Sequence, residues 1–121
     1  MERYQRELEG WKSKFTAPHE RTPQGELGRQ MQEGVELYLA VANYDGTPKR
    51  KQEVVEEGID CIIGLLGVIN AADPTVNVDT VMQKKLTVIN NKYQPEKVNM
   101  FKKQGLTTEQ AMERCKALYV N

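Results

Sequence analysis

The stretch from Lys51 to Ala71 constrains the fold more than any other part of this chain. It is bracketed by two strong breaks, Asp45-Gly46-Thr47-Pro48 before it and Ala72-Asp73-Pro74 after it. Between them Val55, Ile59, Ile62, Ile63, Leu66 and Ile69 recur at helical spacing, and Cys61, Leu65 and Val68 carry apolar character onto a second face. Strict alternation, the signature of a half-buried strand, is absent, so the segment reads as a long helix. A helix that is apolar on more than one side requires cover on more than one side. In a chain of 121 residues, an interface between copies is one way to provide it.

Other apolar stripes flank this helix. Tyr4, Leu8, Trp11 and Phe15 fall on one face of an expected first helix over residues 2–15, and a core stripe is the preferred reading of Trp11 and Phe15 over stacking on a base. Residues 16–23 hold Pro18 and Pro23 and read as a linker, with His19 exposed in it. A second helix is expected from about Gln24 to Ala42, with Met31, Val35, Tyr38, Leu39 and Ala42 inward. A fourth is expected from Val78 to Tyr93, with Val78, Val81, Met82, Leu86 and Ile89 inward, ended by Gln94-Pro95. Residues 96–106 show little periodicity, and Gly105 marks a turn. Thr107 with Gln110 makes a capping box for a last helix, Thr108 to about Tyr119. The expected fold is all-α: an antiparallel bundle of four core helices plus a C-terminal helix, in one domain over 1–121, with 96–121 as an extension.

Bulk properties narrow the function class. Lysine plus arginine equals aspartate plus glutamate, 17 of each. A nucleic-acid-binding domain carries a basic excess, so none is expected as a partner. The N-terminus lacks an apolar signal core and no stretch approaches a membrane span, so no membrane partner is expected either. Cys61 and Cys115 have no paired spacing and read as reduced thiols of a cytoplasmic protein, with Cys61 in a packing role.

Chemistry concentrates in two acidic stretches, Gln32-Glu33-Gly34-Val35-Glu36 and Glu57-Gly58-Ile59-Asp60. Each puts two carboxylates three residues apart, on one helix face. The 20 residues between Glu36 and Glu57 suffice to end one helix, turn, and begin an antiparallel partner. If the two faces meet, four carboxylates converge and form a nest for Mg²⁺, with Mn²⁺ as an alternative. An isolated acidic pair is usually a solvated face. Here Glu57 and Asp60 sit where their helix turns apolar, and aspartate has poor helix propensity, which weakens that reading. With no histidine or cysteine nearby, Zn²⁺ is disfavoured. Glu53 and Glu56, one turn earlier, are possible additional ligands or solvated groups. Lys49-Arg50-Lys51 reads as a solvated turn before it reads as a phosphate contact.

The order and spacing of these stretches resemble the MazG-like, all-α nucleoside triphosphate pyrophosphohydrolases, which carry E-E-x-x-E, a spacer and E-x-x-D. Trp11 to Phe15, the prolines that follow, and Arg29-Gln30-Met31 are similar to phage-type members. Lys85-Leu86 through Lys92-Tyr93 is similar to the family's K-L-x-x-N-x-x-[RK]-Y stretch. In all, the resemblance covers roughly residues 8–93. It implies cleavage of a nucleoside triphosphate to the monophosphate and pyrophosphate, in the cytoplasm (of the host, for a phage protein). Glu33, Glu36, Glu57 and Asp60 would be the Mg²⁺ ligands, Gln32 and Glu33 would stand beside the nucleophilic water, and Lys85, Asn90 and Lys92 would bind substrate. A homodimer or homotetramer is implied. Two positions depart from the pattern. Gln32 replaces the first glutamate; an amide hydrogen-bonds a water but is no base. Ile89 occupies the family's asparagine position, and Asn90 and Asn91 lie one and two residues on, a turn of about 100° or more on a helix. These departures motivate one alternative, a non-catalytic nucleotide binder on the same fold; the other, a helical interaction module, takes the acidic pairs as plain surface.

Overall fold

The computed structural model describes residues 1–119, all-helical with no strand among them. The elements are α1 (Glu2–Lys12), a 3₁₀ turn (Pro18–Glu20), α2 (Pro23–Ala42), α3 (Pro48–Ala72), α4 (Val78–Lys92), α5 (Pro95–Lys103) and α6 (Thr108–Leu118). Two compact units share them, one ending at Val78 and the other beginning at Asp79.

Local chemistry accounts for the helix starts. Thr22 and Thr47 cap α2 and α3: each hydroxyl accepts a backbone N–H, from Gly25 at 3.1 Å and from Arg50 at 3.4 Å, and a proline follows each cap. That proline has no N–H to leave unsatisfied in the first turn. Asp45 tightens the connection, its Oδ1 accepting from the Thr47 backbone N–H at 3.0 Å and the Thr47 hydroxyl at 2.6 Å, while Gly46 takes the φ of +82° that other residues resist. The Thr107–Gln110 capping box forms as expected, with bonds of 3.2 and 2.9 Å.

In the first unit α2 and α3 pack as an antiparallel hairpin, with α1 against α3. Residues meet in order away from the turn: Glu36 and Glu33 face Glu57 and Asp60, Gln30 faces Gly64, and Glu26 faces Gly67. The two glycines permit the close approach. A Cβ on Gly64 would clash with the Gln30 side chain, and a Cβ on Gly67 would lie 2.6 Å from Lys12 Nζ and 2.9 Å from Glu26 Oε2.

What fills this unit corrects the expected core. Alongside Cys61, Leu66, Ala40 and Val78, the buried residues are Gln5, Lys12, Glu26 and Asn70. Gln5 Nε2 donates to Asn70 Oδ1 at 2.8 Å and to the Val76 carbonyl at 2.9 Å, fastening α1 to the end of α3. Lys12 pairs with Glu26 at 2.9 Å, and both Arg21 head nitrogens donate to the Glu9 carboxylate. Tyr4, Trp11 and Phe15, expected inward, are exposed, and α1 ends at Lys12 instead of residue 15. Trp11 and Phe15 pack edge to face, ring centroids 4.8 Å apart. Met31, Val35, Tyr38 and Leu39 of α2, and Val55, Ile59, Ile62, Ile63 and Ile69 of α3, are exposed as well. The face of α2 turned to α3 is the one bearing Glu26, Gln30 and Glu33, so charge pairing and glycine contacts set the helix rotation.

In the second unit α5 and α6 pack around Phe101, Ala111 and Cys115, flanked by Tyr93, Val98 and Leu106. Helix α5 falls in the stretch read as weakly periodic: nine residues are too few to display a stripe, and Pro95 both stops α4 and starts α5. Gly105, at φ +92°, makes the expected turn. On α4 only Val78 is buried; Val81, Met82, Leu86 and Ile89 are exposed.

Candidate metal centre

The α2–α3 hairpin brings one carboxylate oxygen from each of Glu33, Glu36, Glu57 and Asp60 within 4.8 Å of the others. The antiparallel register causes this. Each pair lies one helical turn apart on its own helix, at a matching distance from the Asp45–Pro48 turn, so packing superposes the two pairs. Oxygens on opposite sides of Mg²⁺ stand roughly 4.2 Å apart, twice the metal–oxygen distance, so the spread is near that of one hard cation.

The electrostatics of the group are unbalanced. No ion pair reaches any of the four carboxylates among the described residues. Glu33 Oε2 and Glu57 Oε2 are sealed from solvent without a hydrogen-bond partner. Burial raises the pKa of Glu33 above the usual carboxylate range, helped by the charge of Glu36, a hydrogen bond with it, and the charge of Asp60. Glu57 is raised likewise, by burial first, then by Glu36, Asp60 and Glu33. Two stranded oxygens and mutual repulsion are what a cation relieves, and an all-oxygen donor set suits Mg²⁺ or Mn²⁺. The four residues fit such an ion.

The neighbouring acidic residues stay out of the group. Glu53 pairs with Arg50 at 2.9 Å, and Glu56 accepts from Gln52 at 2.9 Å. Gln32, next to Glu33 on α2, is exposed. Lys85 and Asn90 are exposed on α4, in the other unit. Lys92 ends α4 with Nζ 5.8 Å from the Tyr93 ring centroid and 5.4 Å from that of Tyr119. His19 is exposed as expected, and both cysteines are buried free thiols. No described helix is long and apolar enough to cross a membrane.

Sequence reasoning overlooked the Lys12–Glu26 pair and the glycines beneath it. A signal existed: Gly64 and Gly67, three apart on α3, mark one face for close helix approach. No protein-family model, curated protein or solved structure matches the chain.

Proposed function

We propose that the protein is a divalent-cation-dependent nucleoside triphosphate pyrophosphohydrolase, releasing pyrophosphate and leaving the monophosphate. The observation carrying this reading is the convergence of Glu33, Glu36, Glu57 and Asp60, with two carboxylate oxygens buried and unpartnered. A bound Mg²⁺ or Mn²⁺ supplies neutralisation of phosphate charge and a more acidic water. The chain's own contribution is rigidity: four ligands on two packed helices hold their positions better than loop residues do. Gln32, adjacent to the ligands, orients a water through its amide without removing its proton. The resemblance to MazG-like enzymes assigns Lys85, Asn90 and Lys92 to the substrate.

The same reading includes a chain folded as an antiparallel bundle of four core helices plus a C-terminal helix, and its self-association as a homodimer or homotetramer. Support for the self-association is the run of exposed apolar side chains on the paired helices, Met31, Val35 and Tyr38 on α2 and Val55 and Ile59 on α3. A cytoplasmic setting accords with the two free thiols.

The test is pyrophosphate release from a broad panel of ribo- and deoxyribonucleoside triphosphates with Mg²⁺ or Mn²⁺, with product identification. Glu57→Ala and Asp60→Ala are expected to abolish release while preserving helix content. No pyrophosphate from any nucleotide rejects the hydrolase. Gln32 favours a second reading, a nucleotide binder without turnover; tight cation-dependent binding by calorimetry with no product supports it, and a rate gained by Gln32→Glu identifies a site lacking only its base.

A further inference from the structure

A cleft of about 240 Å³ opens beside the acidic group, where α1, α2 and α3 meet. Glu33 and Asp60 form its border with the carboxylate cluster, and the rest of its lining includes Trp11, Lys12, Glu26 and Arg29. Two of these residues are unusual lining. Lys12 and Glu26 are 8% and 5% exposed, so both are more than nine-tenths buried, and yet they face a cavity. Their mutual hydrogen bond, 2.9 Å from Nζ to Oε2, is the one each side chain makes among the described residues. Lys12 therefore retains two ammonium protons, and Glu26 retains the lone pairs of Oε1. An ammonium is donor-only and a carboxylate acceptor-only. A donor-only and an acceptor-only side chain therefore stand side by side in the lining of the cleft, their bonded atoms against Gly67, next to an exposed indole.

We infer that Lys12 and Glu26 are the specificity-determining pair of a nucleobase subsite, with Trp11 as its stacking platform. The inference rests on the nucleotide reading above, because the cleft adjoins the carboxylates proposed to meet the phosphates. Every base offers a π-face for an indole. What separates the bases is the order of donors and acceptors on the pairing edge. Guanine, uracil and thymine place a carbonyl beside a ring N–H. Adenine and cytosine place an amine beside a bare ring nitrogen. With the phosphates held at one end and the ring stacked on Trp11, only one order meets Lys12 and Glu26 correctly. The other leaves a buried donor facing a donor, and a site built to hydrogen-bond its ligand rejects such a mismatch strongly.

Reversing the pair tests this without burying an unbalanced charge. Lys12→Glu/Glu26→Lys exchanges donor for acceptor, and Lys12→Met/Glu26→Leu removes both charges, a change that buried ion pairs commonly tolerate. Pyrophosphate release is measured for GTP, UTP, dTTP, ATP and CTP with Mg²⁺. In parallel, emission from Trp11, the only tryptophan in the chain, is titrated with guanosine, uridine, adenosine and cytidine without a divalent cation. Wild-type protein is expected to prefer one class, carbonyl or amino, at least about tenfold in kcat/KM. The reversed pair is expected to prefer the other class, and the apolar pair to level the two. Helix content by circular dichroism identifies variants that fold. Where either double variant fails to fold, Glu26→Gln and Lys12→Arg take its place, with a narrowed base preference expected of each. Folded variants that keep the wild-type order overturn the inference while the hydrolase survives. If no nucleotide is cleaved, the fluorescence decides: quenching that depends on the base and reverses in the exchanged variant sustains the subsite, and emission indifferent to all four nucleosides overturns it.

Discussion

Gly67→Ala isolates how much the buried Lys12–Glu26 pair depends on the closeness of α2 and α3. In an open helix position alanine stabilises by about 1 kcal/mol over glycine. At Gly67 the added methyl would sit 2.6 Å from Lys12 Nζ, 2.9 Å from Glu26 Oε2 and 3.5 Å from Glu26 Cδ. Both atoms end flexible side chains, which ordinarily step aside. Here they cannot do so cheaply, because each is more than nine-tenths buried and the retreat of one strands the other. Breaking a buried ion pair costs roughly 3–5 kcal/mol. Set against the propensity gain, the net destabilisation is about 2–4 kcal/mol. Gly58→Ala on the same helix, with nothing within 4 Å, is the control and should stabilise by about 1 kcal/mol. The assay is urea denaturation followed by circular dichroism at one protein concentration. In a Lys12→Ala/Glu26→Ala background the clash disappears, and Gly67→Ala should then stabilise like the control, giving a large coupling energy. A Gly67→Ala protein as stable as the parent, or equal effects in both backgrounds, would refute the argument.

The remaining predictions follow from the carboxylates and the helix caps. Mg²⁺ or Mn²⁺ at a hundredfold excess over its dissociation constant should stabilise the protein by about 2.7 kcal/mol, read as a raised melting temperature, and Glu57→Ala should remove the response. Glu33 and Glu57 titrate above the unfolded carboxylate value of 4.5, so the folded state holds protons that the unfolded state has released. Their contribution is then fully present below the unfolded value and lost as pH rises through the raised one. Without cations, Glu57→Gln should gain stability relative to wild type as pH rises above that value, by urea midpoints on either side. Asp45 shows the opposite sign, lowered from 3.8 by its bonds to the Thr47 hydroxyl and backbone N–H; it stabilises above the unfolded value, and Asp45→Ala should narrow the loss of stability on acidification. Thr107→Ala removes the N-cap of α6 and should cost about 1 kcal/mol in thermal unfolding.

The parts of this fold that could be read in the sequence are those decided locally. Thr107 with Gln110 carries its own hydrogen-bonding instructions, and the structure places a helix start there; Thr47-Pro48, read as part of the turn before a helix from Lys51, also proves to be a cap and first turn. The carboxylate group was legible for a related reason: a short turn fixes the hairpin register, and equal spacing on the two helices does the rest. What failed was the assignment of inside and outside. Periodicity identifies an apolar face but not what covers it, and it points Met31, Val35, Ile59 and Trp11 toward a core that this chain does not build around them. The burial of Lys12 depends on Glu26, 14 residues away on another helix, and on a missing Cβ at Gly67. No local window contains all three.

These two outcomes are connected. Four carboxylates repel, and among the described residues nothing cationic pairs with them, so contacts elsewhere along α2 and α3 hold the hairpin closed. Those contacts include Gly64 against Gln30, Gly67 against Glu26, and the Lys12 bridge that joins α1 to α2 at the same level, beside the buried Ala40, Cys61 and Leu66. An apolar seam would allow the helices to rotate or slide about one another, since hydrophobic contact is non-directional. A buried ion pair seated on a glycine tolerates little of either movement, because displacement leaves a charge unpaired. The polar interior thus contributes to holding the rotation of α2 that turns Glu33 and Glu36 toward α3. The same rotation turns Met31, Val35 and Tyr38 outward. The exposed apolar face and the convergent carboxylates are two consequences of one helix orientation, and a substitution that relaxed it would be expected to bury the first and disperse the second.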